Sequence, residues 1–437
     1  MTEGSAVARP RQGDLVAAAH LSSALRSERP DPTLKSDSEG VTAPERARGA
    51  DMSTSGVVRA RVVAATLVAL LATAVLALAA AGPAGANPTT ASPTVAGYNL
   101  YFGDLHAHTG YSDSYAKGST PWDAFPVGRD AGADFMALTE HYSTSNAYEA
   151  WTMDEWEWQD LKAAATYFTS SSFVAMPAYE FYLVAHSGEF NVFNVSDLPP
   201  KMEFLGPERL PMFYDWLSQQ PGGVGQFNHP TYVTDNFKDF SGRSAARDAG
   251  MGLIEVYNDE FFEESYTMAL DAGWHVMPSA NSDTHNADWI WGRDMRTVLL
   301  AQSLTPANLY AAMRAQRGYA TLDKNLSIGF SVNGGVMGST LSGTASAYTA
   351  DVKIWDPDAL AGRASDAVTL VEIVSDRGVV VRSLTLSPAA GTQIVTWKAK
   401  GLPVKARYFW ARVSTASDDV NGRPGVTAWT APVWTGR

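Results

Sequence analysis

Short apolar runs alternate with longer stretches of mixed polarity between residues 99 and 317, a pattern typical of strands separated by helices. The predicted strands are Asn99–Leu105, Asp134–Thr139, Phe173–Ala178, Phe190–Val195, Val224–Phe227, Leu253–Tyr257, His275–Ala280 and Thr297–Ala301. Because strands that alternate with helices usually pair in parallel, we expect an α/β fold with a parallel sheet, either open or closed. Seven or eight such runs favour an irregular barrel.

Two of the intervening segments carry helix start signals. Thr152 and Glu155 have the spacing of a capping box. Thr305 and Pro306 combine an N-cap residue with a proline in the first turn. These signals predict helices that begin near both positions.

After about Asn325 the pattern changes to strand-like stretches separated by turns, without a clear helical period. The clearest hairpin joins VTLVEIV to VVVRSLTL through the turn at residues 375–378. We therefore predict a barrel domain over residues 97–324 and a C-terminal β-sandwich domain over residues 325–437.

The segment before the barrel resembles an export signal. Basic residues precede the apolar run Val62–Ala81, and small residues that end at Ala86 follow it. We predict a signal peptide over residues 52–86 and a secreted mature protein that leaves the membrane after cleavage. The alternative is an uncleaved membrane anchor over residues 62–81, because this run is just long enough to span a bilayer.

The flanking segments are low in apolar periodicity. Residues 1–51 are rich in Arg, Ser, Pro and acidic residues, which predicts a disordered or mis-annotated extension before Met52. Residues 87–96 are rich in Pro, Thr and Ser, which predicts a linker.

Charge and composition exclude several functions. Acidic residues outnumber basic ones by 46 to 33, a net charge of −13, so we expect no nucleic-acid-binding surface. The chain contains no cysteine, which excludes disulfides, thiol catalysis and thiolate metal sites. Any metal ion must therefore be held by nitrogen and oxygen ligands.

Polar side chains gather where the predicted strands end. Five of the eight histidines stand there, in the motifs GDLHAHTGYSD, ALTEH, FNHP and NSDTH: His106, His108, His141, His229 and His285. Glu180 ends the run VAMPAYE, and Asp283 lies two residues before His285. Barrel enzymes build their sites at strand C-termini, and residues two apart on a strand point to the same side. Each motif alone is weak, but together they predict a cluster of divalent ions.

In order, the motifs GDLHAHTGYSD, ALTEH, PAYEF, FNHP and SDTH resemble those of the PHP (polymerase and histidinol phosphatase) superfamily. The secreted layout with a C-terminal β domain resembles its carbaryl-hydrolase-like (CehA/McbA) branch. The resemblance covers residues 97–437 and implies a distorted (β/α)7 TIM-like barrel with two or three divalent ions of zinc, manganese or iron. The implied ligands are His106, His108, Glu180 and Asp283 for the first ion, Glu180 and His229 for the second, and Asp113, His141 and His285 for the third.

One position departs from the family pattern. The family has a Gly-His pair shortly after the bridging Glu, whereas Gly188 is followed here by Glu189. Either Glu189 completes the second site and shifts it toward harder ions such as manganese or iron, or His186 moves in. The spacing to the following Asn191 fits the family motif and favours Glu189.

The resemblance implies a hydrolase in which a metal-bridged hydroxide attacks an ester. Asp283 is the candidate acceptor of the water proton. Arg293 is a candidate for holding an anionic substrate oxygen, and the alternative is a solvated surface arginine. Trp289 and Trp291 would either line an apolar pocket or pack at the barrel rim.

The predicted charges bear on the substrate, which would be a small molecule or a polymer. Three divalent ions would outweigh the four carboxylates of the predicted site and attract an anion, so phosphate mono- or diesters are the leading class. Two ions would leave no net charge, which favours a carbamate, amide or carboxylic ester instead. A third hypothesis is an exported binding protein without catalysis. The oligomeric state stays open.

Overall fold

The structure is a computed structural model that describes residues 94–112, 118–144, 152–182, 188–199, 209–230, 235–387, 394–417 and 425–437. The predicted extension, signal peptide and most of the linker lie outside these ranges, and so do Asp113 and His186. Within the ranges, no helix is long and apolar enough to cross a membrane. The export signal and its alternative, a membrane anchor, therefore stay predictions.

Each of the eight predicted apolar runs overlaps a strand in the first half of the described chain. The strands are β1 Asn99–Asp104, β2 Phe135–Tyr142, β3 Val174–Tyr182, β4 Glu189–Phe193, β5 Val224–Phe227, β6 Met251–Asn258, β7 Glu260–Phe261, β8 Met277–Ala280, β9 Arg296–Ala301 and β10 Gly318–Thr321. Strands β5, β8 and β9 are buried along their whole length. Burial on both faces explains why these runs are continuously apolar rather than alternating.

Helices lie between these strands. They are α1 Pro121–Asp130, α2 Glu155–Phe168, α3 Arg209–Ser218, α4 Ala245–Gly250, α5 Glu263–Asp271 and α6 Pro306–Arg314, with one left-handed turn at Asn236–Phe240. Thr305 caps α6 as predicted. The predicted capping box of α2 is wrong by two residues, because Asp154 and Glu157 form it instead. A carboxylate cap at Asp154 also favours this start, since it faces the positive end of the helix dipole.

The sheet is mixed, whereas the alternation of strands and helices predicted a parallel one. Strands β1, β2 and β3 pair in parallel, as do β5, β6 and β8. Strand β4 is antiparallel to both β3 and β5, and β9 is antiparallel to β1. Only residues 183–188 join β3 to β4, which is too short for the crossover that a parallel pair requires.

A side chain links two strands of this sheet that are far apart in the strand order, β8 and β9. The strand order runs β10-β9-β1-β2-β3-β4-β5-β6, with β8 paired to β6. Thr297 on β9 accepts a hydrogen bond from the Ala280 amide at 3.1 Å and donates to the Ala280 carbonyl at 3.2 Å. This contact brings β8 next to β9.

The C-terminal region is rich in β structure, as predicted. It contains β11 Ser327–Val332, β12 Gly335–Val336, β13 Tyr348–Trp355, the short helix α7 Pro357–Leu360, β14 Val368–Ser375, β15 Val379–Thr385, β16 Ile394–Leu402, β17 Tyr408–Thr415, β18 Val426–Thr430 and β19 Val433–Trp434. The predicted hairpin is β14 and β15. Strands β12, β11, β13 and β16 form a separate sheet.

The other C-terminal strands continue the first sheet. Strand β18 pairs with β10 and joins β17, β14 and β15 to it. Trp410 and Trp429 are buried beside α5, where Trp410 contacts Tyr266 and Trp429 donates to Glu263 at 2.7 Å, and Trp434 is buried beside His275 and Tyr408. These aromatic side chains therefore belong to the core here. The boundary between the two predicted domains stays a prediction.

Candidate metal centre

The predicted ligand residues that the structure describes meet at one edge of the sheet. Strand β4 is antiparallel to both of its neighbours, so β5 runs in the same direction as β3. Strands β1, β2, β3, β5 and β8 therefore share one direction, and their carboxyl ends lie on that edge. His106 and His108 follow β1, His141 and Glu180 lie near the ends of β2 and β3, Glu189 begins β4, His229 follows β5, and Asp283 and His285 follow β8.

Glu180 lies at the centre of this group, and its side chain is only 2% exposed. Its Oε1 atom lies 3.3 Å from His106 Nε2 and 3.2 Å from His229 Nε2. Its Oε2 atom lies 3.4 Å from His108 Nε2 and 3.2 Å from His141 Nε2. Each carboxylate oxygen therefore faces two imidazoles, which is the arrangement expected of a carboxylate that bridges two ions.

Asp283 presents one oxygen to the same centre. Its Oδ1 atom lies 3.3 Å from His106 Nε2 and 3.0 Å from His108 Nε2. The other oxygen, Oδ2, accepts a hydrogen bond from Asn258 Nδ2 at 3.0 Å. Asn258 thereby fixes the carboxylate so that Oδ1 points at the histidines.

The donor atoms form three groups, and within each group the atoms all lie within 4.8 Å of one another. They are His106, His108, Glu180 and Asp283; Glu180, Glu189 and His229; and His108, His141 and His285. The first two correspond to the sets that the sequence predicted. In the third, His108 joins His141 and His285, while the predicted Asp113 lies outside the described residues.

The donor atoms fit divalent ions. His106 Nε2, His108 Nε2 and Asp283 Oδ1 are buried and, although Asp283 Oδ1 lies 3.0–3.3 Å from both nitrogens, none of the three forms a hydrogen bond within the described part of the chain. Buried polar atoms are nearly always paired, so three such atoms beside Glu180 fit a site that binds a cation. Imidazole and carboxylate donors without sulfur suit zinc, manganese or iron.

Glu189 lies where the second ion would be held. Its Oε2 atom is 3.0 Å from His229 Nε2, on the same imidazole nitrogen that faces Glu180. The competing candidate, His186, lies outside the described residues. The assignment of Glu189 as a ligand stays a prediction, and the position of its carboxylate is consistent with it.

Glu255 supports the centre from behind, and the sequence analysis did not identify it. It is fully buried on β6, where Oε1 lies 2.9 Å from His106 Nδ1 and Oε2 accepts from the His229 amide at 2.7 Å. Asn281 Nδ2 also donates to Oε1 at 2.9 Å. A carboxylate behind a metal-binding histidine fixes its tautomer and raises its basicity. The sequence feature that could have identified Glu255 is its charge, which stands inside the otherwise apolar run Leu253–Tyr257.

Glu140 has a similar supporting role in the motif ALTEH. Its buried carboxylate accepts from the amide and hydroxyl of Thr109 and from the Ser112 hydroxyl at 2.6 Å. These bonds fix the loop that follows His108. The Ser112 hydroxyl also accepts from the His141 amide at 2.8 Å, so loop and strand are held together.

The backbone is strained at two predicted ligands. His229 and Asp283 adopt positive φ values of 25° and 45°. Residues other than glycine occupy this region at a cost of about 1–3 kcal/mol, and such positions cluster at functional sites.

Burial and charge act against each other throughout the centre. Burial opposes ionisation of Glu180, but the positive charge of His106 outweighs it and holds the Glu180 pKa well below its usual range. Burial likewise disfavours charge on His106, yet Asp283, Glu180 and Glu255 raise its pKa well above 6.5. Burial and the neighbouring His141 lower the pKa of His108 to about 3. Charged and neutral imidazoles therefore coexist around the carboxylates.

The remaining candidates lie outside this cluster. Arg293 Nη1 donates to Asp259 at 2.9 Å, and its predicted role in substrate binding stays a prediction. Trp289 is buried and donates to the His108 carbonyl at 2.8 Å, which is rim packing that supports a ligand. Trp291 is 66% exposed.

No family profile and no curated protein matches this chain.

Several solved structures are similar to it. A two-domain protein from Bacteroides vulgatus that contains a predicted PHP-like metal-dependent phosphoesterase is 17% identical, with a TM-score of 0.42 over 78% of this chain and 97% of that one. A lesion-specific endonuclease from Pyrococcus furiosus is 13% identical, with a TM-score of 0.32 over 49% of this chain and 56% of that one. An amidohydrolase from Chromobacterium violaceum is 14% identical, with a TM-score of 0.28 over 42% of this chain and 87% of that one. At these identities and TM-scores the likenesses assign neither a family nor a function to this chain.

Proposed function

We propose that this protein is a metal-dependent hydrolase of the PHP type, with a distorted (β/α)7 barrel that binds two or three ions of zinc, manganese or iron. The observation that carries the proposal is the set of buried, unpaired donor atoms around Glu180. The order of the five metal motifs along the chain supports the PHP resemblance. Assignment to the carbaryl-hydrolase-like branch rests on the chain layout and stays a prediction.

The ligands divide by exposure, which gives the centre a closed side and an open side. The buried floor consists of His106, His108 and Glu180, and the partly exposed side consists of His141, His229, Glu189, Asp283 and His285. A substrate would therefore approach from the partly exposed side.

Bound divalent ions would supply the Lewis acidity that activates water and stabilises negative charge in the transition state. Asp283 is the carboxylate best placed to take a proton from the attacking water. It is 19% exposed, its Oδ1 atom has no hydrogen-bond partner among the described residues, and Asn258 holds its other oxygen. His106 would be positioned by Glu255, which keeps Nε2 directed at the centre.

Phosphate mono- or diesters are the substrates that we propose first. The four carboxylates predicted to bind the ions are Asp113, Glu180, Glu189 and Asp283. Three divalent ions would bring six positive charges and leave two in excess, which attracts an anionic ester. Two ions would leave no excess charge, which favours a neutral carbamate, amide or carboxylic ester. The metal content therefore separates the two classes.

The test combines metal analysis with turnover. We expect the purified protein to hydrolyse bis(p-nitrophenyl) phosphate, to lose this activity with a chelator and to regain it with zinc, manganese or iron. Asp283→Asn should lose the activity, whereas the control His275→Gln should keep it, since His275 pairs with Asp248 outside the centre. Faster turnover of p-nitrophenyl acetate or a naphthyl carbamate would favour the second class. Metal binding without turnover of any of these substrates would favour a binding protein.

The remaining proposals concern the chain layout. We propose export through the signal at residues 52–86, followed by a barrel over 97–324 and a sandwich over 325–437. N-terminal sequencing of the protein from the culture medium should give a mature chain that begins at Asn87. Recovery of the uncut chain in the membrane fraction would favour the anchor instead.

A further inference from the structure

A second cluster of carboxylates lies away from the barrel centre. Asp323 follows β10, Asp356 follows β13, and Asp366 precedes β14. One oxygen atom from each of the three lies within 4.8 Å of the others. The cluster therefore joins the segment that leaves β10 to the loop between β13 and β14.

The hydrogen bonds of these residues leave specific oxygens unpaired. Asp356 Oδ1 caps α7 by accepting from the amides of Asp358 at 2.7 Å and Ala359 at 2.8 Å. The Oδ2 atom of Asp356 is buried, has no hydrogen-bond partner in the described ranges, and belongs to a residue that is 1% exposed. Nothing local to the helix explains why a carboxylate oxygen is buried in this way.

Two further oxygens are buried without a hydrogen bond. Asp366 Oδ2, on a residue that is 8% exposed, has only its ion-pair contact with Arg363, and the Asn325 Oδ1 atom has no hydrogen-bond partner among the described residues. Asp323 Oδ1, by contrast, accepts from the amides of Asn325 at 2.9 Å and Leu326 at 3.1 Å. These two hydrogen bonds fix the backbone at Asn325 and Leu326.

The nearby cations supply too little charge to balance the group. Arg363 Nε lies 3.3 Å from Asp366 Oδ2, and Nη1 lies 3.2 Å from the outlying carboxylate of Asp358. With these two aspartates, Asp323 and Asp356 make four carboxylates, and Asp294 lines the same cleft. Besides Arg363, Lys324 lines this cleft and Arg296 interacts with Asp323 and Asp294. The carboxylates still outnumber the cations, and like charges in a buried site are costly unless a cation joins them.

We propose that this cluster is a calcium site, separate from the barrel centre, with Asp323, Asp356, Asp366 and the amide oxygen of Asn325 as its protein ligands. The donors are all oxygen atoms, which selects a hard cation over zinc or copper. Calcium accepts six to eight such oxygens in flexible geometry, whereas magnesium demands a near-ideal octahedron. A cleft of about 210 Å³, lined by Asp323, Asp366 and Thr427 among others, gives an ion and its waters access to the cluster.

The bound ion would stabilise the junction between the two halves of the chain. Strand β10 pairs with β9 on one side and β18 on the other, so the segment after β10 is the covalent link at this junction. An ion held by Asp323 and Asn325 from that segment, and by Asp356 and Asp366 from the loop between β13 and β14, would cross-link the two. A ligand that binds only the folded state raises its stability by mass action.

The experiment uses the full mature chain, stripped with a chelator and then reloaded with zinc so that the barrel centre is filled. Titration calorimetry with calcium should show one further ion bound per chain, with magnesium at least ~10-fold weaker. Calcium should also raise the melting temperature by roughly 3 °C or more at saturation. Absence of calcium binding by the zinc-loaded wild type would overturn the proposal.

Variants locate the site. Asp356→Asn keeps the oxygen that caps α7 and removes the charge, so calcium binding and its thermal shift should disappear. Asp366→Asn should do the same without touching the cap. Asp351→Asn is the matched control, because Asp351 lies on β13 but pairs with Lys398 on the exposed surface at 3.1 Å. Undiminished calcium binding in both cluster variants would refute the assignment.

A barrel variant separates this proposal from the proposed function. Glu180→Gln should lose the barrel ions yet keep the calcium response, because its carboxylate belongs to the other cluster. Loss of the calcium response in Glu180→Gln, with its retention in Asp356→Asn, would place calcium in the barrel and refute a junction site.

Discussion

The centre around Glu180 and the junction cluster of Asp323, Asp356 and Asp366 both bury carboxylates, but they surround them differently. In the first, Glu180 faces four imidazoles, and its pKa is held well below the usual range. At the junction, burial and the neighbouring Asp323 and Asp366 raise the pKa of Asp356 to about 7. Protonated histidines can therefore balance the barrel carboxylates when no ion is bound. The junction carboxylates need either protons of their own or a cation.

This difference assigns different tasks to the two clusters. A centre whose own histidines balance its carboxylates can keep its shape when ligands bind and leave. Such a preorganised arrangement suits a catalytic site. A group of like charges is stable only when a cation neutralises it, which suits a structural ion.

The largest expected effect concerns Glu180, because a bridging carboxylate would belong to two ions at once. Glu180→Gln keeps the size of the side chain but removes its charge, so both ions should be lost together. Turnover should fall by several orders of magnitude, each tenfold step being about 1.4 kcal/mol of barrier. Elemental analysis alongside kinetics measures both effects. Asp113→Asn should remove only the third ion, and full metal content with normal turnover in Glu180→Gln would refute the bridging role.

The next effect tests Glu255, which touches the centre through His106, through His229 and through Asn258, the residue that fixes Asp283. Glu255→Gln keeps an oxygen for one hydrogen bond but removes the charge that favours the right tautomer of His106. We expect metal affinity to fall by about 10–100-fold, with turnover largely restored at saturating metal. A competition titration with a chromophoric chelator measures the affinity. If turnover stayed low despite full occupancy, Glu255 would have a direct part in the reaction.

The comparison predicts opposite responses to removing charge in metal-free protein. Asp356→Asn should raise the melting temperature in chelator by about 2 °C or more, because it relieves repulsion from Asp323 and Asp366. Glu180→Gln should lower the melting temperature under the same conditions, because it removes the partner of His106. Scanning calorimetry of both variants measures the signs. Destabilisation by Asp356→Asn would mean that Arg363 already balances the cluster.

A smaller effect is the pH dependence of the stability of the metal-free protein. It is best measured in Asp356→Asn, which removes the pH dependence that the Asp356 carboxylate itself would add. Folding raises the pKa values of His106 and His229, so their stabilisation is complete below about pH 6.5 and is lost as the pH rises. Folding lowers the pKa values of Glu180 and Asp283, so their contribution is lost as the pH falls below about 4.

Folding lowers the pKa of His108 to about 3, so the folded state resists its protonation and stability is also lost as the pH falls below about 6.5. The melting temperature of the metal-free protein should therefore be highest near pH 6.5 and fall above it. Zinc should reverse the fall at higher pH, because the ion replaces the protons on the histidines. A melting temperature that rises steadily from pH 6 to pH 9 without metal would contradict these shifts.

The sequence could single out most of the predicted ligands because they stand at the ends of apolar runs. His106, His229 and Asp283 are far apart in the chain, but strand ends that share one direction bring them together. The antiparallel direction of β4 and β9 was missed because an apolar run carries no direction. The short connection between β3 and β4, residues 183–188, was the available signal for β4.

Other features could not be predicted from spacing. Glu255 stands alone in an apolar strand, and a lone carboxylate has no spacing that indicates its partner. Asp323 follows β10, whereas Asp356 and Asp366 lie in the loop between β13 and β14, and the pairing of β11 with β13 brings these two segments together. The strain at His229 and Asp283 likewise depends on tertiary contacts.

The smallest expected effect concerns Glu189, where the chain departs from the family pattern. Its carboxylate oxygen lies 3.0 Å from His229 Nε2, so an imidazole at this position would reach the same ion. Glu189→His should keep or raise the zinc content and shift metal preference away from manganese, because nitrogen donors favour zinc. Glu189→Ala is the control and should lose the second ion. Competitive loading with equal zinc and manganese, followed by elemental analysis, measures the preference. An unchanged metal ratio in both variants would mean that Glu189 does not bind the ion and that His186 or solvent completes the site.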